Sequence, residues 1–401
     1  MVSLFKKVRS LFLGTQQQYT AAAIPSIDYG VPVSNDSALK LTAMYAGIRI
    51  RSENIASFPK YVKRQTDEGL VVDDTHPAYS LICHEPNEYT NVFDFWFAIN
   101  AALDGWGNAY AIIKRDRDGN PIALHQVHPA LVSIKVVDGR KWYKIMQPDP
   151  GLSFLSGTYS DDDILHFMLV SFDGVEGVNP IIYNAIAIGK ALATIKFGAD
   201  FYRKGGNVKA VLETDGNLGD EAYAKFMAHF ANAANNFETP LLEYGIKYKQ
   251  LGISPVAAQL IQSEIISIQD ICRILNIPPH MLAELSHATF SNIEHQTMQF
   301  IQFSLRPSVK RIEVELERKL FFASERGRYS VKFDLNGMMR GDTATRSAYY
   351  HNAILDGWMS RNEAREIEGM SRQKELDKML YPLNSGIIGE ENEEKNFNPA
   401  N

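Results

Sequence analysis

Cysteine is nearly absent: Cys83 and Cys272 are the only two in 401 residues. Two sulfurs cannot build a disulfide framework or a Cys-rich zinc site, and they fit a reducing compartment. No stretch reaches the ~20 apolar residues needed to cross a bilayer. An excess of positive charge is missing as well, since 41 basic residues face 47 acidic ones for a formal net charge of −6. That balance argues against a compact protein that grips nucleic acid through a basic face. It leaves room for one that lets DNA pass without holding it. A phosphate-binding loop is lacking too. It needs a glycine, four residues, then Gly-Lys-Ser/Thr, so that backbone amides cradle the phosphates. The nearest approach, Gly189-Lys190-Ala191, has Asn184 where the first glycine belongs and no hydroxyl after the lysine. ATP hydrolysis by this chain is therefore not expected. No Gly-x-Ser-x-Gly elbow occurs either.

The remaining candidates for chemistry are thin. Asp161-Asp162-Asp163 could hold a hard cation or serve a nuclease. Successive carboxylates point different ways, however, and a solvated turn is the simpler reading. His125-x-x-His128 falls at a strand end with no cysteine near it, which aims the pair poorly for zinc. Adjacent Cys83 and His84 diverge on an extended chain and make an unsuitable thiol dyad. His280, His287 and His295 do not form His-Glu-x-x-His. No catalytic residue, metal or cofactor is proposed.

What is present is an ordinary globular composition, with 45% apolar, 22% charged and 11% aromatic side chains. At ~100–200 residues per domain, two or three packed units are expected. The N-terminus is basic and amphipathic, which reads as a partner- or membrane-binding helix or as a frayed start. Residues 15–36 lack periodicity and suggest an extended arm. Ser37 is placed to cap a helix whose apolar face carries Leu41, Met44, Tyr45, Ile48 and Ile55. Phe58-Pro59 ends it. Strands are expected at residues 60–64 and 70–72. A helix over residues 92–103 offers Phe93, Trp96, Phe97 and Leu103 to a core. Two hairpins follow, turning about residues 116–121 and at Asp138-Gly139. The first 180 residues thus read as α+β with an antiparallel sheet.

The pattern then changes. Ile181, Ala185, Ile188, Leu192, Ile195, Ala199 and Tyr202 recur at steps of four and three. So do Ile261, Ile265, Ile268, Cys272 and Leu275, before Pro278-Pro279 stops the run. Such seams favour helix-on-helix packing, within one core or between copies in a ring. A small, nearly uncharged loop joins the second seam to a third long helix: Ser286, His287, Ala288, Thr289, Phe290, Ser291 and Asn292. Without lysine or arginine it could touch DNA without gripping it. Pro307 should kink the helix that follows. A strand at 329–335 and helices at 342–355 and 360–368 come next, with Ser360 and Glu363 at capping-box positions.

Several stretches, in this order, are familiar. Leu41-Thr42-Ala43-Met44-Tyr45-Ala46-Gly47-Ile48-Arg49-Ile50 runs to Phe58-Pro59. Gly105-Trp106-Gly107-Asn108-Ala109-Tyr110 precedes His128-Pro129, and Ile164-Leu165-His166 precedes Asp173-Gly174, Gly177 and Asn179-Pro180. Ile277-Pro278-Pro279-His280-Met281-Leu282, Thr289-Phe290-Ser291-Asn292-Ile293-Glu294, Leu305-Arg306-Pro307 and Gly357-Trp358-Met359-Ser360-Arg361-Asn362-Glu363 complete the set. Over roughly residues 38–370 this order resembles the HK97-type portal proteins of tailed bacteriophages. Asn179 stands where that family more often has serine.

The resemblance implies an α+β portal fold and a non-catalytic ring, usually of twelve copies, at one capsid vertex of the virion. The ring would be assembled in the host cytoplasm. Double-stranded DNA would pass through its channel during packaging and ejection. Partners would be the large terminase subunit (the separate packaging ATPase), the major capsid or scaffold protein, and head-completion or adaptor proteins. The implied division is a flexible arm at 1–36, a wing at 37–180 and a first stem helix at 181–204. A clip at 205–254 and a second stem helix at 255–284 follow. A tunnel loop at 285–292 comprises Ser286 to Asn292. A long kinked helix with a return strand spans 293–340, a crown 341–380 and a disordered tail 381–401. In the stem, Ile188, Leu192, Ile195, Ile261, Ile265 and Ile268 would pack between subunits.

Overall fold

The structure, a computed structural model, describes residues 30–67, 69–203, 210–213, 219–235, 247–250, 256–283, 296–335, 343–368 and 370–380. The expected arm up to 29, the tunnel loop and the tail from 381 lie outside them. The chain divides into two compact units, Met1–Asp334 and Leu335–Asn401.

The first unit opens with α1 (Asn35–Leu39) and α2 (Thr42–Ser57). The cap falls three residues before the expected Ser37. Ser34 accepts the Ser37 N–H at 3.1 Å, and the Ser37 hydroxyl accepts the Ser34 N–H at 2.8 Å. Ser37 is thus the reciprocal member of a capping box, and the expected single helix breaks at Lys40-Leu41. Tyr45, expected in the core, is 57% exposed. Strands β1 (Lys60–Thr66) and β2 (Gly69–Val72) and helix α3 (Pro77–Cys83) follow. Helix α4 (Val92–Trp106) starts on the Asn91 side chain and stops at Gly107, which takes φ +75°.

Two further antiparallel sheets come next. In one, β3 (Asn108–Arg115) pairs with β4 (Pro121–Val127) and with β8 (Ile164–Met168). In the other, β6 (Arg140–Ile145) pairs with β5 (Val132–Val137) and with β7 (Gly157–Ser160). The β5–β6 turn uses Asp138 at φ 51° and Gly139 at φ 75°, the left-handed pair that matches strand twist. Trp96, Tyr110, Tyr143, Phe95 and Phe167 are the bulk of the aromatic core, and the Trp96 indole N–H donates to the Ile82 carbonyl at 3.1 Å.

The first seam is two helices, α5 (Pro180–Tyr183) and α6 (Ala185–Arg203), because Asn184 leaves the helical region between them. An antiparallel pair, β9 (Ala210–Glu213) with β10 (Lys247–Gln250), and helix α7 (Asp220–Asn235) precede α8 (Val256–Leu275), which packs against α6 and α2. Residues 296–320 are helical and end in α9 (Arg306–Leu320). Strand β11 (Tyr329–Phe333) then returns to pair with β1, with Val62 opposite Val331.

Helix α9 also seals two sheet edges. Glu313 accepts the Phe333 N–H at 3.0 Å and Glu317 the Val331 N–H at 3.1 Å, both on the outer side of β11. Glu315 accepts the His166 N–H of edge strand β8 at 3.3 Å. Edge amides that would otherwise invite another strand are thereby taken.

In the second unit, α10 (Thr343–Leu355) and α11 (Arg361–Ile367) enclose Ala353, Met359 and Ala364. Ser360 and Glu363 form the expected capping box, with the hydroxyl accepting the Glu363 N–H at 3.1 Å.

Candidate functional site

The paired helices α6 and α8 carry the six stem residues singled out above. Ile188 is fully buried within the single chain. Leu192, Ile265 and Ile268 are half-buried, and Ile195 is 50% exposed. The Ile261 side chain falls outside the described residues. The seam therefore begins as an intrachain contact at Ile188 and opens to solvent by Ile195.

The base of the expected tunnel loop is formed by the described residues on either side of it. Residues 284–295, including Ser286 to Asn292, are outside the described residues, but the chain on either side is well tied. Before the loop, Asn276 adopts φ 53°, and its side-chain amide donates to the Phe303 carbonyl at 2.9 Å. That carbonyl is free because Pro307, four residues on, has no N–H to offer it. The Arg306 N–H reaches back five residues to Ile301, and Phe300–Leu305 forms a π segment. The proline expected to kink the helix thus acts through a widened turn, whose spare carbonyl is satisfied by Asn276. His280, before the loop, donates through Nδ1 to Gln296 Oε1, after it, at 2.7 Å. A cavity of about 440 Å³ lies here, bordered by Arg273, Asn276, Gln296 and Phe303.

One group missed by sequence reasoning holds this base to the α+β part. Arg51 of α2 is 4% exposed and donates from Nε to Asp104 of α4 at 2.8 Å. Its other nitrogens donate to the hydroxyls of Ser304 and, at 2.9 Å, Ser308. Asn100 donates to the same Asp104 oxygen at 3.1 Å. The signal was there: Met44, Ile48, Arg51 and Ile55 step by four, three and four, so Arg51 occupies the buried stripe of α2. A buried guanidinium needs a carboxylate partner.

Several of the weak candidates for chemistry have structural roles. Asp161 accepts from Lys319 at 2.6 Å and Arg318 at 3.3 Å, and these cations hold its carboxyl below the usual range although burial opposes them. It is thus more enclosed than the solvated turn expected. His125 is buried, with Nδ1 on the Tyr89 hydroxyl at 3.1 Å, while His128 caps the turn at 129–131. Burial, with Lys114 adding repulsion, draws His125 down to about 4. The Cys83 thiol is pushed up to about 11 by burial, which keeps it protonated and poorly nucleophilic. Among the described residues no group of three or more His, Cys, Asp or Glu could hold a metal ion.

The family stretches acquire physical reasons as well. Gly107 and Gly177 sit where two backbones cross: a Cβ on Gly107 would clash with the Val178 carbonyl, and one on Gly177 with the Gly107 carbonyl. Asn108 binds the Gly177 N–H and carbonyl, each at 2.7 Å. Asn179 accepts the Ile181 and Ile182 N–H groups at 3.0 and 3.2 Å, the capping service a serine would also supply.

Comparison with known proteins agrees with this geometry. The family described as phage portal protein matches residues 42–369. The chain is 31% identical over 382 residues to the probable portal protein of Streptomyces phage phiC31, covering 91% of this chain and 82% of that one. It is 26% identical over 346 residues to the portal protein of Enterobacteria phage HK97, covering 84% and 80%. Among solved structures, an HK97 family phage portal protein from Corynebacterium diphtheriae superposes with a TM-score of 0.58 at 13% identity, over 78% of this chain and 99% of that chain. A chain from the neck of a native gene transfer agent particle, computed with C12 symmetry, gives 0.57 at 17% identity, over 86% and 96%. The class is therefore settled: the chain belongs to the phage portal protein family. Within that family it is of the HK97 type, with the mixed α+β portal fold.

Proposed function

We propose that this portal protein forms a ring of about twelve copies at one capsid vertex, where it is a passive channel for double-stranded DNA in packaging and ejection. The observation that carries this reading is the paired helices α6 and α8. They leave Ile186, Ile195, Phe197 and Ile266 exposed by 38–54%, apolar surface that a second copy would cover. The C12 symmetry of the gene transfer agent neck supports the ring. In this reading α6 and α8 are the stem, residues 205–254 the clip that docks the large terminase and later the adaptor proteins, and residues 341–380 the crown. Residues 37–180 form the wing, which faces the capsid or scaffold protein. The loop of Ser286 to Asn292 lines the channel. Its lack of cations, with the acidic balance of the whole chain, suits a surface along which a polyanion slides.

Deleting Thr289 to Ser291 tests the channel assignment. Rings should form as before, while packaged genome length or retention falls. Normal genome filling in that variant would contradict the assignment. Incubation with DNA and magnesium should give no turnover. Turnover abolished by Asp162→Ala would contradict the non-catalytic reading.

A further inference from the structure

Sheet edges in the first unit are treated unequally. Helix α9 closes those of β11 and β8. Residues 86–87 close that of β4, where the Leu124 N–H donates to the Pro86 carbonyl at 2.6 Å and the Asn87 amide donates to the Leu124 carbonyl at 2.8 Å. Strand β2, the other edge of the β11–β1–β2 sheet, has no such cover. Its register sets Arg64 opposite Val71, and the Asp73 N–H donates to the Val62 carbonyl at 2.9 Å. In an antiparallel ladder alternate residues bond the partner strand, so the N–H and C=O groups of Leu70 and Val72 face outward. Among the described residues nothing hydrogen-bonds to them.

The side chains are bare too. Leu70 is 53% exposed, Val71 49% and Val72 46%. Successive residues alternate faces, so β2 is uncovered on both sides as well as at its edge. An apolar edge with unpaired amides is a template for one more strand.

Charge selects the occupant. Residues 66–74 hold Asp67, Glu68, Asp73 and Asp74 and no lysine or arginine. On β1, Arg64 is spent on Asp73 at 3.2 Å, Lys60 on the carbonyls of Ala56 and Phe58, and Lys63 lies over the Tyr61 ring at 5.9 Å. The edge is therefore acidic. Two copies of β2 would set like charges together, which disfavours self-pairing. The start of the chain has the opposite character. Lys6, Lys7 and Arg9 stand among Leu4, Phe5, Val8 and Leu11, and the first carboxylate side chain in the sequence is Asp28. Phe5 and Val8 favour strands. Residues 10–29 join this segment to Gly30, the first described residue. Extended, such a connection spans up to ~66 Å. A compact unit of about this length has a radius of gyration of only ~20 Å, so reach sets no limit. A tethered segment also meets the edge at an effective concentration that a separate peptide does not have.

We infer that residues 4–9 add to β2 of their own chain as a fourth strand of the β11–β1–β2 sheet, with Lys6, Lys7 and Arg9 against its acidic flanks. The basic start of the chain then serves the chain itself, in place of the membrane or a separate partner. This concerns a single chain and does not depend on the ring reading.

The test compares the full chain with a variant lacking residues 2–13 by residue-resolved hydrogen exchange. The amides of Leu70 and Val72 should exchange at least ten-fold more slowly in the full chain. The Val71 amide, which faces β1, should be protected equally in both and so reports that the hairpin stays folded. Lys6→Glu with Lys7→Glu should speed exchange at Leu70 and Val72 as the deletion does, and Lys6→Arg with Lys7→Arg should keep it slow. Equal exchange at these two amides in the full and shortened chains would overturn the occupant. Protection that survives Lys6→Glu with Lys7→Glu would overturn the charge pairing. Protection that grows with protein concentration would put another copy on the edge and overturn the assignment to the same chain.

Discussion

Gly107 has a double obligation. Its φ of +75° favours glycine, and the Val178 carbonyl fills the space a Cβ would need. Gly107→Ala should therefore destabilise the first unit by at least ~2 kcal/mol. Urea denaturation reads this directly, and an unchanged midpoint would contradict the crossing. His166 is a second such residue. It is 5% exposed, and its Nε2 faces the Asn108 side-chain oxygen at 3.0 Å. Burial, then Lys141, pull it from 6.5 down to about 3, with Asp161 only partly opposing. His125 goes the same way, to about 4. For both, the folded state refuses a proton that the unfolded chain accepts. Their contribution is thus whole above pH 6.5 and drains as pH falls toward the folded values. Stability should drop by about 1–3 kcal/mol per pH unit between pH 6 and 4. Unfolding curves that coincide at pH 7 and pH 5 would contradict it.

Between elements, the Arg51 cluster joins α2, α4 and the π segment. Asp104→Ala would strand a buried guanidinium and should cost about 3–5 kcal/mol. Adding Arg51→Met should restore part of that loss, so a double-mutant cycle should give strong coupling, and additive losses would contradict the pairing. The two faces of α6 make a sharper contrast. Ile188→Asp should destabilise the folded chain by several kcal/mol, because the charge enters a site with no exposure. Phe197→Asp should leave the monomer folded but assembly-deficient. Circular dichroism and sizing separate the outcomes. Much of the element map could be read before any coordinates, wherever the cue is local. Asp138-Gly139 marks its own turn, and Ser360 with Glu363 marks its own cap. The face of α6 could not be read that way, since a four–three repeat says that a face is buried and not by whom. Arg51 lay in plain periodicity, but its partners are 53 and 253 residues distant. The loop expected at Ser286 to Asn292 rests on composition alone and lies outside the described residues.

For the whole molecule, the proposed function has the chain supply shape, while energy for DNA movement would come from a separate protein. The net charge of −6 suits a lining that does not retain a polyanion. Helix α9, with Glu313, Glu315 and Glu317 on the amides of β11 and β8, closes those two sheet edges. Association at those two edges should then run through side chains and not through added strands. The most direct measurement is electron microscopy of the purified full-length protein, with class averages along the symmetry axis. Closed rings of about twelve subunits around an open hole are the expected result. A population of single chains at every concentration tried, with no annular assembly, would contradict the account.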